Sequence, residues 1–158
     1  GHRNVQGLIY DAEGERVLAH EHGPRGGDEI NLIEPGNNYG WPKITYGVDY
    51  SGAVISPHTE LPGLEQPLLQ WTPSIAPAGF ALYRGDLFPE WDGSLMVATL
   101  AGMEVRRVEL NGNEVVAQES LFKELESRFR DVRSGPDGAL YLLTDGAEGK
   151  LLKVVPAN

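Results

Sequence analysis

Few side chains in this sequence have the type and spacing to do chemistry, and most of them lie in one stretch. Glu21 to Pro42, EHGPRGGDEINLIEPGNNYGWP, sets an acidic pair, Asp28 and Glu29, between two turn-rich segments. The first is Gly23-Pro24-Arg25-Gly26-Gly27 and the second Pro35-Gly36-Asn37-Asn38-Tyr39-Gly40. Glycine lets backbone approach a ligand closely, and proline stiffens the turn. Such a loop can aim its own carbonyl oxygens, with the nearby carboxylates, at a hard cation such as calcium. On residues alone it is a cation or ligand loop, or else a long surface loop with ordinary turn chemistry. Arg128 and Arg130 stand two apart, so on a strand they share a face, where two guanidinia need an anion between them. A pair of exposed surface arginines is the plainer alternative. Arg3, Asn4 and Gln6 collect donors and acceptors just ahead of a strand. His20 and His22 also alternate, but two histidines without a third ligand are a weak metal signal and read as structural. Ser74 has no histidine near it, so a serine-hydrolase triad is unsupported, and His58 is given no role.

The bulk numbers bound these options. A net charge of −10 over 158 residues sets the chain against nucleic acid, whose phosphates would repel it, and no basic stripe offsets this. Without cysteine there is no disulfide framework, thiolate metal site or thiol nucleophile. No apolar run reaches the length of a membrane span, and no signal peptide is visible. Because the chain opens on Gly1 rather than methionine, residues upstream are expected to have been removed or left out.

The elements that must position these groups are strands. Glycine and proline are spread evenly, and short apolar runs alternate with turns, which predicts an all-β chain. One pattern recurs: Leu8-Ile9-Tyr10 to Val17-Leu18-Ala19, Phe80-Ala81-Leu82 to Leu95-Met96-Val97, and Asp131-Val132-Arg133 to Leu140-Tyr141-Leu142, each across an Asp/Gly turn. A further strand follows each pair, over 30–33, 105–110 and 151–155. Imperfect repeats of three to four strands predict the blades of a β-propeller, about three of them, in a single partial domain over 1–158. Three blades do not close a ring, so the chain is expected to be part of a propeller or to pair with another copy through its open edges. A loop over about 35–77, rich in proline, glycine and aromatics, is inserted in the first repeat, and long loops on a rigid β scaffold are where binding sites are built. Glu119–Ser127, with Leu121, Phe122 and Leu125 at helical spacing, reads as a short turn of helix or an irregular connection.

Five segments then carry a resemblance: GHRNVQGL at 1–8, EHGPRGGDEINLI at 21–33, NYGWP at 38–42, WTPSIAP at 71–77 and RFRDVRSGPDGALYLLTD at 128–145. Together, and in this order, they are similar to the glucose/sorbosone dehydrogenase family, the soluble aldose sugar dehydrogenases that use pyrroloquinoline quinone (PQQ) on a six-bladed propeller. The resemblance covers essentially the whole chain but corresponds to the C-terminal half of that fold. It implies that Arg3, Asn4 and Gln6 line the quinone, that Ser74 lies near one of its carboxylates, and that Arg128 and Arg130 stand at its edge, with Arg130 the residue expected to act in catalysis. It further implies that the carbonyls of Gly23 and Pro24 hold the Ca2+ against the cofactor. Glu29, the Tyr39 carbonyl and Asp49 would hold a second, structural Ca2+. Three family positions are not matched: the histidine general base has no counterpart here, a lysine is replaced by Ala101, and a cofactor-side tyrosine by Leu69.

The expectation is therefore half of a sugar-oxidising enzyme, with an aldose as the substrate of the complete protein and a periplasmic or secreted location, and with little activity of its own. A non-catalytic half-propeller that pairs into a six-bladed ring is the alternative, and a purely structural calcium-binding fragment a third.

Overall fold

The structure, a computed structural model, describes residues 1–157. Its regular elements are eleven strands and two single turns of 3-10 helix, so the chain is all-β as expected. It divides into two compact units, one spanning Gly1–Ala76 and the other beginning at Pro77.

The first unit is one antiparallel sheet whose strands follow chain order: β1 (Val5–Asp11), β2 (Arg16–Glu21), β3 (Asp28–Ile33) and β4 (Leu69–Trp71). The turn between β1 and β2 is closed by Arg16, whose Nε donates to Asp11 Oδ2 at 2.9 Å. Leu18 and Ile30 are buried at the sheet's centre, and so is His20, which pairs with Ile30 in the β2–β3 register. His20 is thus a core residue, in keeping with the structural reading. β4 was not among the expected strands. It lies in the inserted loop, and three residues are too few to display a period of two. Its pairing, Asp28 with Trp71 and Ile30 with Leu69, brings the far end of that loop back beside the acidic pair.

The second unit holds two sheets. One runs β5 (Pro77–Leu82), β6 (Leu95–Thr99), β7 (Val105–Asn111), β8 (Glu114–Leu121), and the other is ordered β11 (Leu151–Val154), β10 (Leu140–Thr144), β9 (Phe129–Ser134). Their common core contains Tyr83, Phe88, Met96, Val105, Phe129, Val132, Leu140 and Leu142. Each such side chain removed from water contributes roughly 1.5–3 kcal/mol before the entropy of ordering is subtracted. Gly79 is where β5 meets β9 most closely, since a Cβ there would lie 2.4 Å from Asp131 Cα.

The segment Glu119–Ser127 contains the short turn of helix expected, but begins as strand. Residues 119–121 complete β8, paired with β7 through Leu121, and only Lys123–Leu125 forms a 3-10 turn. Phe122 and Glu126, both at positive φ (63° and 45°), bracket that turn and keep it from extending. The apolar spacing at 121, 122 and 125 reflects packing of Leu121 and Phe122 on the core, not a helical face.

Candidate functional site

Two buried carboxylates organise the first unit, and neither acts as an isolated charge. Glu21 ends β2 and gathers the residues ahead of β1: it accepts from His2 Nδ1 at 2.7 Å, from the Arg3 amide at 2.6 Å and from the Asn4 amide at 3.1 Å. The Asn31 side-chain amide reaches it at 3.3 Å and also donates to Glu29 at 3.2 Å. Asp28, fully buried at the start of β3, does the same for the glycine-proline corner. Its Oδ1 accepts from the Gly23 amide at 3.0 Å, while Oδ2 accepts from Ser74 Oγ at 2.5 Å and from the Ile75 and Ala76 amides, each at 2.9 Å. Hydrogen bonds to a buried charge are worth about 1.5–3 kcal/mol each, so these hubs fix backbone that would otherwise be loop. Gly23 has no room for a side chain, because a Cβ would fall 2.2 Å from the Gly26 carbonyl oxygen.

Around this corner lies a small cavity of about 10 Å³, bordered by Arg3, Glu21, Gly23, Pro24, Glu29 and Tyr39. That is space for a single water or ion. Burial raises the Glu29 carboxyl, outweighing the Asn31 hydrogen bond that lowers it, to about 7, and the charges of Glu21 and Asp28 add to the rise. The buried Asn31 Oδ1, beside the same two glutamates, meets no donor. A space bordered by two glutamates, with a third acid close by, suits a cation with oxygen ligands such as calcium. Among the described residues no group of three histidine or acidic side chains is placed to hold a metal. The arrangement brings together five residues singled out from sequence: Arg3, Gly23, Pro24, Glu29 and Tyr39.

A larger groove of about 570 Å³ adjoins the other side of Gly23 and Pro24, with Tyr50, Thr72, Pro73 and Ser74 along it. Ser74 is committed to Asp28, so it shapes the groove wall through that bond. Arg3 is half-buried, donates from Nη1 to the His22 carbonyl at 3.2 Å and lies 5.4 Å from the Trp41 ring centroid. Asn4 and Gln6 are exposed and bonded to each other, Gln6 Nε2 to Asn4 Oδ1 at 2.9 Å. Asp49 is exposed on its own turn, accepting from the Ser51 amide at 2.9 Å and hydroxyl at 2.6 Å, and does not border the small cavity.

In the second unit Arg128 and Arg130 share one anion, as their spacing requires, and it comes from the chain itself. Arg128 Nε donates to Asp145 Oδ2 at 3.1 Å, and Arg130 donates from Nε at 3.3 Å and Nη2 at 3.1 Å to Oδ1. Glu21 and Asp145 are the functional residues that sequence reasoning missed. Both sit at or just past a strand end, opposite an already suspected segment, and only the register reveals that juxtaposition.

Three antiparallel sheets with a rigid glycine-proline corner and a paired-arginine edge define an all-β, blade-built protein. The family model for glucose/sorbosone dehydrogenase matches residues 1–153, and the chain belongs to that family. It is 44% identical over 161 residues to the aldose sugar dehydrogenase YliI of Escherichia coli, covering 100% of this chain and 43% of that protein. A crystal structure of a glucose dehydrogenase superposes with a TM-score of 0.95 at 50% identity, over 99% of this chain and 46% of the other. The PQQ-bound aldose sugar dehydrogenase of Streptomyces coelicolor gives 0.73 at 30% identity, over 97% and 43%. The chain thus spans less than half the length of these relatives, and its sheets have the all-β propeller-type fold expected of the family.

Proposed function

We propose that this chain is the C-terminal half of a PQQ-dependent aldose sugar dehydrogenase, periplasmic or secreted. It would contribute cofactor and calcium contacts to the oxidation of a sugar's anomeric hydroxyl. The observation that carries this reading is the convergence of Arg3, Gly23, Pro24, Glu29 and Tyr39, from three separated stretches, on one small cavity. PQQ, when bound with calcium polarising its quinone, supplies the hydride acceptor. The chain's own part is electrostatic and positional. The Gly23 and Pro24 carbonyls, held by Asp28, would face the first calcium, and Glu29 with the Tyr39 carbonyl the second. Asp49 can join that second set only by leaving its Ser51 turn. Arg3, Asn4 and Gln6 offer donors to the cofactor's carboxylates, and Ser74 sets the groove wall beside it. Arg130, with Arg128, would hold the negative charge that develops on the acceptor. The proton of the anomeric hydroxyl must leave to a general base, and no residue of this chain matches the family's histidine.

Titration calorimetry on the purified chain tests this. Calcium is expected to bind and to raise the melting temperature, PQQ to bind in its presence, and dye reduction with glucose to stay near background. Absence of any calcium effect together with absence of PQQ binding overturns the reading. A second reading, a half-propeller assembling with another copy, is favoured by exposed apolar side chains: Leu8 and Tyr10 on β1, each 65% exposed, and the cross-strand pair Leu143–Leu151 in the third sheet. Light scattering distinguishes it, because a monomer at high concentration rules the pairing out.

A further inference from the structure

We infer that Asp145 is a positioning residue that grips Arg128 through Nε and Arg130 through Nε and Nη2 and leaves their other amino groups free as a receptor for a polycarboxylate. The inference rests on the proposed function only for the identity of that ligand. Three structural features support it. First, the geometry is side-on for Arg128: its single bond to Asp145 is through Nε, at 3.1 Å. Arg130 uses Nε and Nη2. Both η nitrogens of Arg128 and Nη1 of Arg130 make no hydrogen bond among the described residues, and the two side chains are 52% and 47% exposed. Three amino nitrogens, each with two N–H donors, therefore remain for an incoming anion, on cations whose rotation is already restricted. Planar guanidinia bind carboxylates in pairs of parallel bonds, which makes orientation worth more for arginine than for lysine.

Second, Asp145 is itself fixed by backbone. Its amide donates to the Arg128 carbonyl at 2.8 Å, so the residue that bonds the side chain also bonds the main chain. Third, the β9–β10 ladder carries a bulge here: Leu143 faces Asp131 and Thr144 faces Phe129, which leaves Arg130 as the extra residue. Phe129 and Val132, three apart, are consequently both in the core. A bulge re-aims a side chain at the cost of ladder regularity, and here it presents Arg130 to the same carboxylate as Arg128. The guanidinia in turn keep the Asp145 carboxyl below its ordinary range, through hydrogen bonds first and their charge second, so it remains ionised.

Charge and positioning predict opposite signs when Asp145 is removed. If the arginines act as charge alone, taking away a neighbouring carboxylate strengthens anion binding. If Asp145 orients them, binding weakens although the site becomes more positive. Wild type, Asp145→Asn and Arg128→Lys are titrated with PQQ in the presence of calcium, and with citrate in its absence, at fixed ionic strength. Side-chain Nε–H resonances of the arginines are followed by NMR. The expected result is two hydrogen-bonded Nε–H signals in the wild type, lost in Asp145→Asn, and at least tenfold weaker binding of both anions in each variant. Arg128→Lys keeps the charge, so its loss of affinity is a readout that charge does not supply. Equal or tighter binding by Asp145→Asn overturns the inference, as does wild-type affinity in Arg128→Lys. Citrate binding without PQQ binding in the wild type sinks the cofactor reading while the variants still decide the role of Asp145. Binding of neither anion overturns both.

Discussion

At the scale of single residues the two buried acids do different work from the ligands usually sought in an acidic loop. Asp28 accepts four hydrogen bonds, all from within the first unit. Asp28→Ala strands those donors and is expected to destabilise the fold by about 3–5 kcal/mol, read from urea unfolding. Asp28→Asn keeps the shape and is expected to cost less, because one oxygen survives as an acceptor. Glu29 behaves in the opposite sense to a salt-bridged acid. Its carboxyl rises from its ordinary value of 4.5 to about 7 on folding, so between those values the folded chain binds more protons than the unfolded one. In metal-free buffer, stability from this residue falls as pH rises through that window, by on the order of 2–3 kcal/mol, and the penalty is complete above it. Glu29→Gln is expected to flatten the profile, and saturating calcium to reverse the penalty. A metal-free stability that rises with pH, dependent on Glu29, would contradict the assignment.

At the scale of elements, sequence periodicity exposed the strands except β4, too short to repeat it, and β8, whose pattern is broken. β8 runs Glu114–Leu121, mostly exposed, with charged and polar residues interrupting its apolar ones, so its pattern resembles a surface loop. The paired arginines were legible from their spacing and the corner from its glycines. Asp145 and Glu21 were not, because their roles depend on register across the sheet rather than on neighbours in sequence. Close backbone contacts were equally hidden. Gly79 looks like any strand glycine until β9 is placed against it, where a Cβ would sit 2.3 Å from Asp131 Oδ1 and 2.4 Å from its Cα. Gly79→Ala is expected to cost about 1–3 kcal/mol by overpacking, measured as a lowered urea midpoint at unchanged slope.

At the scale of the whole molecule, charge and exposed apolar surface pull in different directions. A net charge of −10 keeps copies apart at low ionic strength. Leu151 and Leu143, 70% and 42% exposed, offer an apolar pair for association once salt screens that repulsion. Self-association, if it uses this face, is expected to strengthen with added sodium chloride and to be abolished by Leu151→Lys, with sedimentation velocity as the readout. Association indifferent to both would place the contact elsewhere.

Because one carboxylate at position 28 clasps both the amide of Gly23 and the 74–76 segment, the corner has no autonomy. A synthetic peptide copying residues 21–42 would carry every oxygen of the proposed calcium loop and none of its shape. Transplanting the loop into another scaffold would require bringing along a partner more than thirty residues away in the chain, and proteolysis anywhere ahead of Ser74 would undo what the glycines and prolines cannot hold on their own.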